Sequence, residues 1–280
     1  MLITTIATWN EFGEALLMAK SVKEHHPNAS VIVCLAENSL PESKNYPWVQ
    51  RFVLARDLGI PDFDAYMSRF QRSQYASALK GYLFDFLQAA YRREHEFIYL
   101  DARMLVVSPL IEFRSMMSSS TIVLTPHLVW PSPRTDCSGE IQALADGTFH
   151  SGMIGMTRTK ELDRLLSWWI RVIREFGGQD GWGGSQYGQK CLNLVPSLFQ
   201  TAILRHPGYN VGFWNIHEQK RFISLKKSRY TAGSEWLRCF NFNNDNFSLM
   251  NKIGALFSRE ASIHQLWAKY SNALQQIKSG

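Results

Sequence analysis

The chain has 280 residues, of which 45% are hydrophobic and 19% are charged, proportions typical of a globular protein with a sizeable core. Its apolar runs are shorter than a membrane-spanning helix requires, and no segment carries a nucleic-acid-binding signature. The four cysteines are widely spaced and form no zinc or redox motif, so the composition predicts reduced thiols and a cytoplasmic location.

The net charge of +6 is unevenly distributed along the chain. Residues 1–140 hold 13 Lys and Arg against 15 Asp and Glu, whereas residues 141–280 hold 17 against 9. A basic half is compatible with peripheral contact with the inner face of an anionic membrane or with a phosphate-rich acceptor, and equally with an ordinary solvated surface. We expect no nucleic acid partner.

The first elements predict a parallel sheet. Residues 2–7 form an apolar run typical of a buried strand, and the absence of a basic segment before it argues against a signal peptide. Asn10 is predicted to cap an amphipathic helix that ends before Pro27. Residues 31–35 form a second strand, so this strand–helix–strand order predicts a parallel pair joined by a right-handed crossover.

The middle of the chain continues this α/β pattern. Prolines and a glycine divide residues 38–65 into loops and short pieces. Residues 73–92 have the spacing of an amphipathic helix. Three short apolar runs that follow are predicted as strands: 97–100, 104–107 and 121–125.

The second half is less regular. Residues 126–148 are predicted to form a long irregular loop, because they contain three prolines and two glycines. Residues 153–156 read as a short strand, and residues 162–176 as a helix that ends at Gly177. Residues 263–277 are predicted as a terminal helix.

The most informative feature is Asp101, which directly follows the predicted strand 97–100. A carboxylate at the end of a buried strand is costly unless it binds something, and the carboxyl ends of strands in an α/β sheet face the ligand crevice. The alternative is that Asp101 only terminates the strand in a turn.

The run Tyr99-Leu100-Asp101-Ala102-Arg103 resembles the Asp-x-Asp strand of GT-A fold nucleotide-sugar glycosyltransferases, as in glycosyltransferase family 8 and its bacterial relatives. Arg103 stands where the second Asp of that motif would be. The resemblance implies one α/β domain over 1–280, with a mixed, mainly parallel, Rossmann-like sheet flanked by helices. It would comprise a nucleotide-binding half (1–110), a donor-sugar and acceptor half (111–250) and a C-terminal helix (251–280).

The resemblance also implies residues that hold the nucleotide. In the family, the loop after the first strand binds the nucleobase and ribose, which assigns that role to Ala7, Thr8, Trp9 and Asn10, with Trp9 stacked on the base. Glu37 follows the second strand, where the family has an acidic residue. Ser77-Ala78-Leu79-Lys80 resembles the Thr-Ala-x-Lys segment, which makes Lys80 a candidate phosphate clamp. Each is also compatible with an ordinary structural or surface role.

Two further segments resemble the parts of the family that line the sugar. In residues 149–156, Ser151 and Gly152 match the pattern, and His150 replaces an Asn that contacts sugar hydroxyls. In residues 188–196, Gln189 matches, and Gly188 replaces the Asp that handles the transferred sugar. Asp180 and Gln186, on a nearby Gly-rich stretch, are candidate substitutes for that Asp.

Two departures from the family pattern affect positions that bind a divalent cation in the family. Besides Arg103, Asn241 stands where relatives have a metal-binding His in the segment 240–245, so Asp101 is the one clear family ligand. Three explanations remain open: Arg103 and Lys80 neutralise the diphosphate without a metal, a different Asp or His supplies the ligands, or the chain is a non-catalytic relative.

The sequence therefore predicts transfer of a sugar from a nucleotide-sugar, UDP-linked in most of the family, to a glycan, lipid or protein acceptor. Asp101, Arg103, His150 and Gln189 are the candidate catalytic residues. The predicted cofactor is none, or a weakly bound Mn²⁺ or Mg²⁺. The alternative is a sugar-nucleotide-binding or scaffold protein with a degenerate transferase fold.

Overall fold

The computed structural model describes residues 1–42, 45–131, 137–177, 187–216, 218, 221–242 and 262–279. The strands are β1 (Leu2–Ala7), β2 (Ser30–Leu35), β3 (Arg51–Leu54), β4 (Glu96–Leu100), β5 (Met104–Val106), β6 (Ile122–Pro126), β7 (Phe149–Thr157), β8 (Thr201–Ile203), β9 (Ile223–Lys226), β10 (Arg229–Ala232), β11 (Glu235–Trp236) and β12 (Cys239–Asn241). The α-helices are α1 (Phe12–His25), α2 (Phe63–Met67), α3 (Tyr75–Ala90), α4 (Ile111–Met117), α5 (Ser138–Asp146), α6 (Leu162–Phe176), α7 (Tyr187–Lys190), α8 (Val195–Leu198) and α9 (Ser262–Ser279). None of the helices in these ranges is both long and apolar enough to cross a bilayer.

Seven strands form the central sheet in the order β3-β2-β1-β4-β7-β6-β8. β7 runs antiparallel to both of its neighbours, and the other pairs are parallel. Ala7 pairs with Leu35, and Thr4 pairs with Tyr99, so β1, β2 and β4 end at the same edge. The predicted mixed α/β sheet is confirmed, and Asp101 follows β4 at the carboxyl edge where ligands bind in such folds.

The alternation of side chains along β4 explains why both faces of the sheet are covered. Phe97 and Tyr99 lie in a buried cluster with residues of α3 and α6, whereas Ile98 and Leu100 lie in a second cluster with residues of α1 and α4. Successive strand residues point to opposite faces, so helices on each side bury a separate apolar layer. Each such side chain contributes about 1.5–3 kcal/mol when fully buried.

A smaller layer joins the C-terminal part of the chain to the carboxyl edge of the sheet. β12 pairs with β5, and β9, β10 and β11 form an antiparallel sheet. Helix α9 packs against α1 and β9, and Phe242 stacks on Tyr270 at 4.0 Å between ring centroids. The backbone N–H of Phe242 donates to the Arg103 carbonyl at 3.0 Å, which ties this layer to the turn after Asp101.

Two local predictions were wrong. Asn10 does not cap the first helix: a short 3₁₀ helix precedes α1, and the Glu11 carboxylate accepts from the backbone N–H and the hydroxyl of Thr8. Residues 126–148 are not irregular throughout, because α5 occupies part of them. The run Glu-Ile-Gln-Ala-Leu-Ala within α5 consists mostly of good helix formers, which outweigh the flanking Gly139 and Gly147.

Candidate functional site

Asp101 joins β4 to β7 at the carboxyl edge of the sheet. Its backbone N–H donates to the Gly152 carbonyl at 2.8 Å, and its carbonyl accepts from the N–H of Met104 at 2.9 Å. Its carboxylate accepts from the backbone N–H of Arg103 at 3.1 Å. A tight turn therefore fixes Asp101 beside Gly152, with its partly accessible side chain at the strand ends.

Arg103 extends from the same turn toward the loop after β1. Its guanidinium lies 3.6 Å from the Glu11 carboxylate, and both side chains are about one-third exposed. Tyr270 of α9 lies close to this pair: burial raises its pKa, the charge of Glu14 raises it further, Arg103 lowers it and Asp101 raises it. Arg103 thus lies between the first loop and the C-terminal helix, next to Asp101.

Lys80 is a buried ammonium group. Its side chain is 3% exposed, its Nζ donates to Ser151 Oγ at 3.0 Å, and it lies 4.5 Å from the centre of the Tyr99 ring. Burial lowers the pKa of Lys80 to about 8, with the charge of Asp101 opposing the shift. Within the described part of the chain, no carboxylate lies at salt-bridge distance from it. A buried cation that has only the more distant charge of Asp101 to offset it, among the described residues, favours the binding of an anion.

Gln189 holds the strand that carries Ser151. Its Oε1 accepts from the Ser151 N–H at 2.8 Å, and its Nε2 donates to the Asp146 carbonyl at 3.0 Å. Gln189 is buried. Its side-chain amide therefore holds the backbone of Ser151, the residue whose hydroxyl accepts the hydrogen bond from Lys80. The neighbouring Gly188 packs against α3, since a Cβ there would lie 2.8 Å from Ser77 Cβ. A side chain at position 188 would therefore require a shift of Ser77 and of the α3 backbone.

The ring of His150 is fixed by its neighbours. Its Nδ1 accepts from the Gly152 N–H at 3.1 Å and faces the Asn210 Nδ2 at 3.0 Å. The ring stacks on Trp214 at 4.1 Å and meets His127 edge-on at 4.9 Å. Because an N–H donates to Nδ1, the hydrogen bonds assign the proton of the neutral ring to Nε2.

Burial and nearby positive groups keep His150 neutral. Burial lowers its pKa well below the usual value, and the charges of His127 and Lys80 add to the decrease, while the Asn210 hydrogen bond opposes it. Burial likewise lowers the pKa of His127 to about 4. The two imidazoles therefore act as hydrogen-bonding groups rather than as cations at neutral pH.

Asn210 and Trp214 are site residues that the sequence did not single out individually. Asn210 is fully buried with φ of 46°, and its Nδ2 also donates to Thr125 Oγ1 at 2.9 Å. Asn215 donates to the His127 carbonyl at 2.9 Å, which connects their segment to the loop after β6. The sequence signal for Asn210 and Trp214 was the resemblance of residues 207–215 to a family pattern, whereas no sequence pattern marked His127.

Gly152 permits a close approach of β7, His150 and β12. A Cβ at this position would lie 2.5 Å from His150 Cε1 and 2.7 Å from Asn241 Nδ2. Any other residue would therefore displace the imidazole or the Asn241 amide. Asn241 is fully buried and lies beside Gly152; that it replaces a metal-binding histidine stays a prediction of the family resemblance.

A second group of residues lies in the loop after β1. The Trp9 backbone N–H donates to Glu37 Oε1 at 2.8 Å, and the Glu37 carboxylate also forms an ion pair with Arg72. Trp9 is 40% exposed and contacts Phe12 edge-on, with ring centroids 5.2 Å apart. Ala7 and Thr8 are buried, whereas Trp9 and Asn10 are exposed. An exposed aromatic ring beside an anchored carboxylate offers a surface for a base and a ribose.

The structure brings together most of the residues that the sequence identified. One polar cluster contains Asp101, Arg103, Lys80, His150, Ser151, Gly152 and Gln189. Glu11 links it to the loop of Trp9, since it contacts both Thr8 and Arg103. Asp180 and Gln186 lie outside the described residues.

Among the residues that the structure describes around Asp101, the side chains do not form the donor set of a tightly bound divalent cation. Mg²⁺ and Mn²⁺ favour several oxygen ligands, including carboxylates, but Asp101 is accompanied by the cationic Arg103 and Lys80. In the described ranges, no group of three or more His, Cys, Asp or Glu side chains is arranged to hold a metal. The positive side chains instead suit an anionic ligand.

No family model matches this chain, and no curated protein sequence matches it. Among solved structures, it is similar to the galactosyltransferase LgtC in complex with donor and acceptor sugar analogs, with 12% identity, a TM-score of 0.52, and coverage of 99% of this chain and 96% of that one. It is also similar to a glycosyltransferase involved in glycosylation of the major capsid of PBCV-1, with 8% identity, a TM-score of 0.51, and coverage of 92% and 100%. These similarities show the fold, and the expected GT-A-like architecture is confirmed.

Proposed function

We propose that this chain is a glycosyltransferase that transfers a sugar from a nucleotide-sugar, UDP-linked by family resemblance, to a glycan, lipid or protein acceptor. The observation that carries the proposal is the buried Lys80 ammonium, hydrogen-bonded to Ser151 and near Asp101 at the carboxyl edge of the sheet. A buried cation in a cleft of this fold is suited to a diphosphate. The fold shared with two solved glycosyltransferases supports the reaction class.

Arg103 and Lys80 would offset the charge that develops on the leaving diphosphate. Arg is suited to forked contact with phosphate oxygens, and Lys acts as a point charge. In this arrangement no metal is required, or Mn²⁺ or Mg²⁺ binds weakly through Asp101. Arg103 would turn from Glu11, whose carboxylate lies 3.6 Å from its guanidinium, to contact the phosphate.

The sugar would lie between Asp101 and β7. There, the Nε2–H of His150 would donate to a sugar hydroxyl, and the Asp101 carboxylate would accept from one. Ser151, Gly152 and Gln189 would shape this part of the site, together with Asp180 and Gln186 on the family resemblance. Trp9 would stack on the base, and the Glu37 carboxylate would accept a hydrogen bond from a ribose hydroxyl. Ala7, Thr8 and Asn10 would form the rest of the loop that holds the nucleoside.

The test is product formation from a panel of sugar nucleotides, measured as release of nucleoside diphosphate with EDTA or with Mn²⁺. We expect turnover of at least one donor in EDTA, and its loss in Asp101→Asn. Arg92→Gln, a change of an exposed arginine that contributes nothing to the cluster, is the matched control. No turnover of any donor under either condition would refute the enzymatic proposal.

The alternative is a sugar-nucleotide-binding or scaffold protein. The observations that favour it are the single carboxylate at the turn and the contact of Arg103 with Glu11. Binding of a sugar nucleotide without turnover, together with unchanged cellular function in Asp101→Asn, would support this alternative. Under both proposed functions, we propose that the chain is cytoplasmic and that its basic half, residues 141–280, contacts the inner face of the membrane.

A further inference from the structure

The hairpin formed by β9 and β10 carries a concentration of positive charge. Lys226 pairs with Arg229 across the two-residue turn Lys227-Ser228, and these three basic side chains are exposed. The patch continues onto α1 and α9: burial lowers the pKa of His25, Lys269 and Arg229 lower it further, and Glu24 alone opposes them. Four cationic side chains and His25 therefore lie on the hairpin and the two helices at this end of the molecule, with Glu24 as the acidic neighbour of His25.

Apolar side chains accompany the positive charge. Leu225 is 41% exposed and points to the opposite face of β9 from Lys226, because side chains alternate along a strand. The tip of the hairpin therefore carries a leucine on one face and cations on the other. The Arg229 guanidinium lies 4.0 Å from the centre of the Trp236 ring. Large apolar groups beside basic ones are typical of surfaces that enter the headgroup region of a bilayer.

The two central residues of the hairpin turn are unfavourable for the backbone conformation that the turn requires. Lys227 has φ of 47° and Ser228 has φ of 62°, whereas such turns favour Asn-Gly because both central residues need positive φ. A lysine in the left-handed region costs roughly 1–2 kcal/mol. The chain therefore places a cation at the tip at the expense of local stability.

Among the described residues, no carboxylate forms an ion pair with Lys226, Lys227 or Arg229. Glu235 lies at the opposite end of the hairpin, where its carboxylate is 3.7 Å from His206 Nε2. Glu24 lies on α1 beside His25. The hairpin tip therefore presents net positive charge to its surroundings, which is complementary to an anionic surface.

We propose that the β9–β10 hairpin docks on an anionic phospholipid bilayer, with Lys226, Lys227 and Arg229 contacting lipid phosphates and Leu225 inserted between headgroups. This inference rests on the hairpin alone and does not require the proposed transferase activity. Exposed leucine favours a bilayer over a nucleic acid, because phosphate contacts to a nucleic acid need only the cations.

The packing of the hairpin would connect docking to the candidate site. β9 packs against α9, and Tyr270 of α9 lies near Asp101 and Arg103. A docked hairpin would therefore hold the carboxyl edge of the sheet at a fixed distance from the bilayer. An acceptor embedded in that bilayer would then meet the site in a constant orientation.

The test is binding to vesicles of phosphatidylcholine alone or mixed with phosphatidylglycerol, measured by co-sedimentation of the full chain. We expect binding to the mixed vesicles and not to phosphatidylcholine alone, weakening as salt increases. The double change Lys226→Gln and Lys227→Gln lowers the affinity on the order of 30-fold, since each basic residue contributes about 1 kcal/mol near an anionic surface. The matched control, Arg92→Gln with Arg93→Gln, leaves the affinity unchanged.

The apolar contribution separates a bilayer from other polyanions. Leu225→Ser lowers vesicle affinity by on the order of five- to tenfold, whereas Ile111→Ser, at a position that is 60% exposed against 41% for Leu225, leaves it unchanged. Binding of a single-stranded oligonucleotide serves as the comparison. Absence of binding to mixed vesicles, equal losses in the control variants, or oligonucleotide binding as tight as vesicle binding would overturn the proposal. Nucleotide binding by the hairpin variants is measured in parallel. Nucleotide binding that is unchanged while vesicle binding is absent would overturn the docking proposal and leave the proposed function intact.

Discussion

At the scale of single residues, Lys80 carries an electrostatic cost in the candidate site. Its ammonium has a hydroxyl and an aromatic ring as neighbours, and these replace little of the hydration that burial removes. Natural proteins retain such groups mostly where a ligand needs them. Removing the charge of Lys80 should therefore increase the stability of the fold and weaken ligand binding.

We expect Lys80→Met to raise the free energy of unfolding at pH 7 while weakening nucleotide binding. Because the pKa falls from 10.5 to about 8, the unfolded chain binds the extra proton between these values, and the cost of roughly 3 kcal/mol is present below pH 8 and vanishes above pH 10.5. Denaturant unfolding of both proteins should show a stability difference that shrinks over this interval. A less stable variant at pH 7 would contradict the account.

His150 should remain neutral with its proton on Nε2 throughout the physiological range. Burial and the nearby His127 and Lys80 lower its pKa, and the Gly152 N–H occupies Nδ1. We expect the ring ¹⁵N chemical shifts of His150, assigned by comparison with His150→Gln, to stay constant between about pH 5.5 and 8. A titration centred near 6.5 would show that the ring is solvated and that the assigned tautomer is wrong.

The residues of the site could be predicted from sequence where a local motif marked them. Asp101, Ser151 and Gln189 stand at strand or helix ends within recognisable patterns, and the structure brings them together. His127, Asn210 and Trp214 were missed as contacts of His150. Their proximity depends on how the loop after β6 meets residues 207–215, and neither segment contains information about the other.

At the scale of elements, periodicity predicted the long elements well. β1 and α6 begin and end where the sequence pattern indicated, because their apolar positions repeat over a whole face. The short strands β3 and β8 were missed, since four or three residues next to prolines or loops show no clear period. Strand pairing with β2 and β6 determines their conformation instead.

The β9–β10 hairpin gives a prediction at this scale. Lys227→Asn with Ser228→Gly should raise the free energy of unfolding by about 1 kcal/mol, because these residues accept positive φ more readily. The same change should lower vesicle affinity by roughly fivefold through loss of one cation. Thermal unfolding and co-sedimentation provide the two measurements.

Lys227→Gln is the matched control for this change. It removes the same charge but leaves a side chain in the strained turn, so it should weaken vesicle binding without a gain in stability. Equal stability of the two variants would show that the turn is not strained. Unchanged vesicle binding by both would show that the tip does not contact lipid.

At the scale of the whole molecule, the fold positions cationic and aromatic groups along one edge of the sheet. β1, β4 and β7 contribute the loop of Trp9, the turn of Asp101 and Arg103, and the residues around His150, while α3 contributes Lys80 from behind. The central claim is that this edge binds a nucleoside diphosphate through its own cations.

Calorimetric titration of UDP in the presence of EDTA tests that claim most directly. We expect the wild-type chain and Arg92→Gln to bind UDP without metal, and Arg103→Gln and Lys80→Met each to lose on the order of 10- to 100-fold in affinity, since hydrogen bonds to charged groups contribute about 1.5–3 kcal/mol. Binding that requires Mn²⁺, or that is equal in wild type and both site variants, would contradict the account.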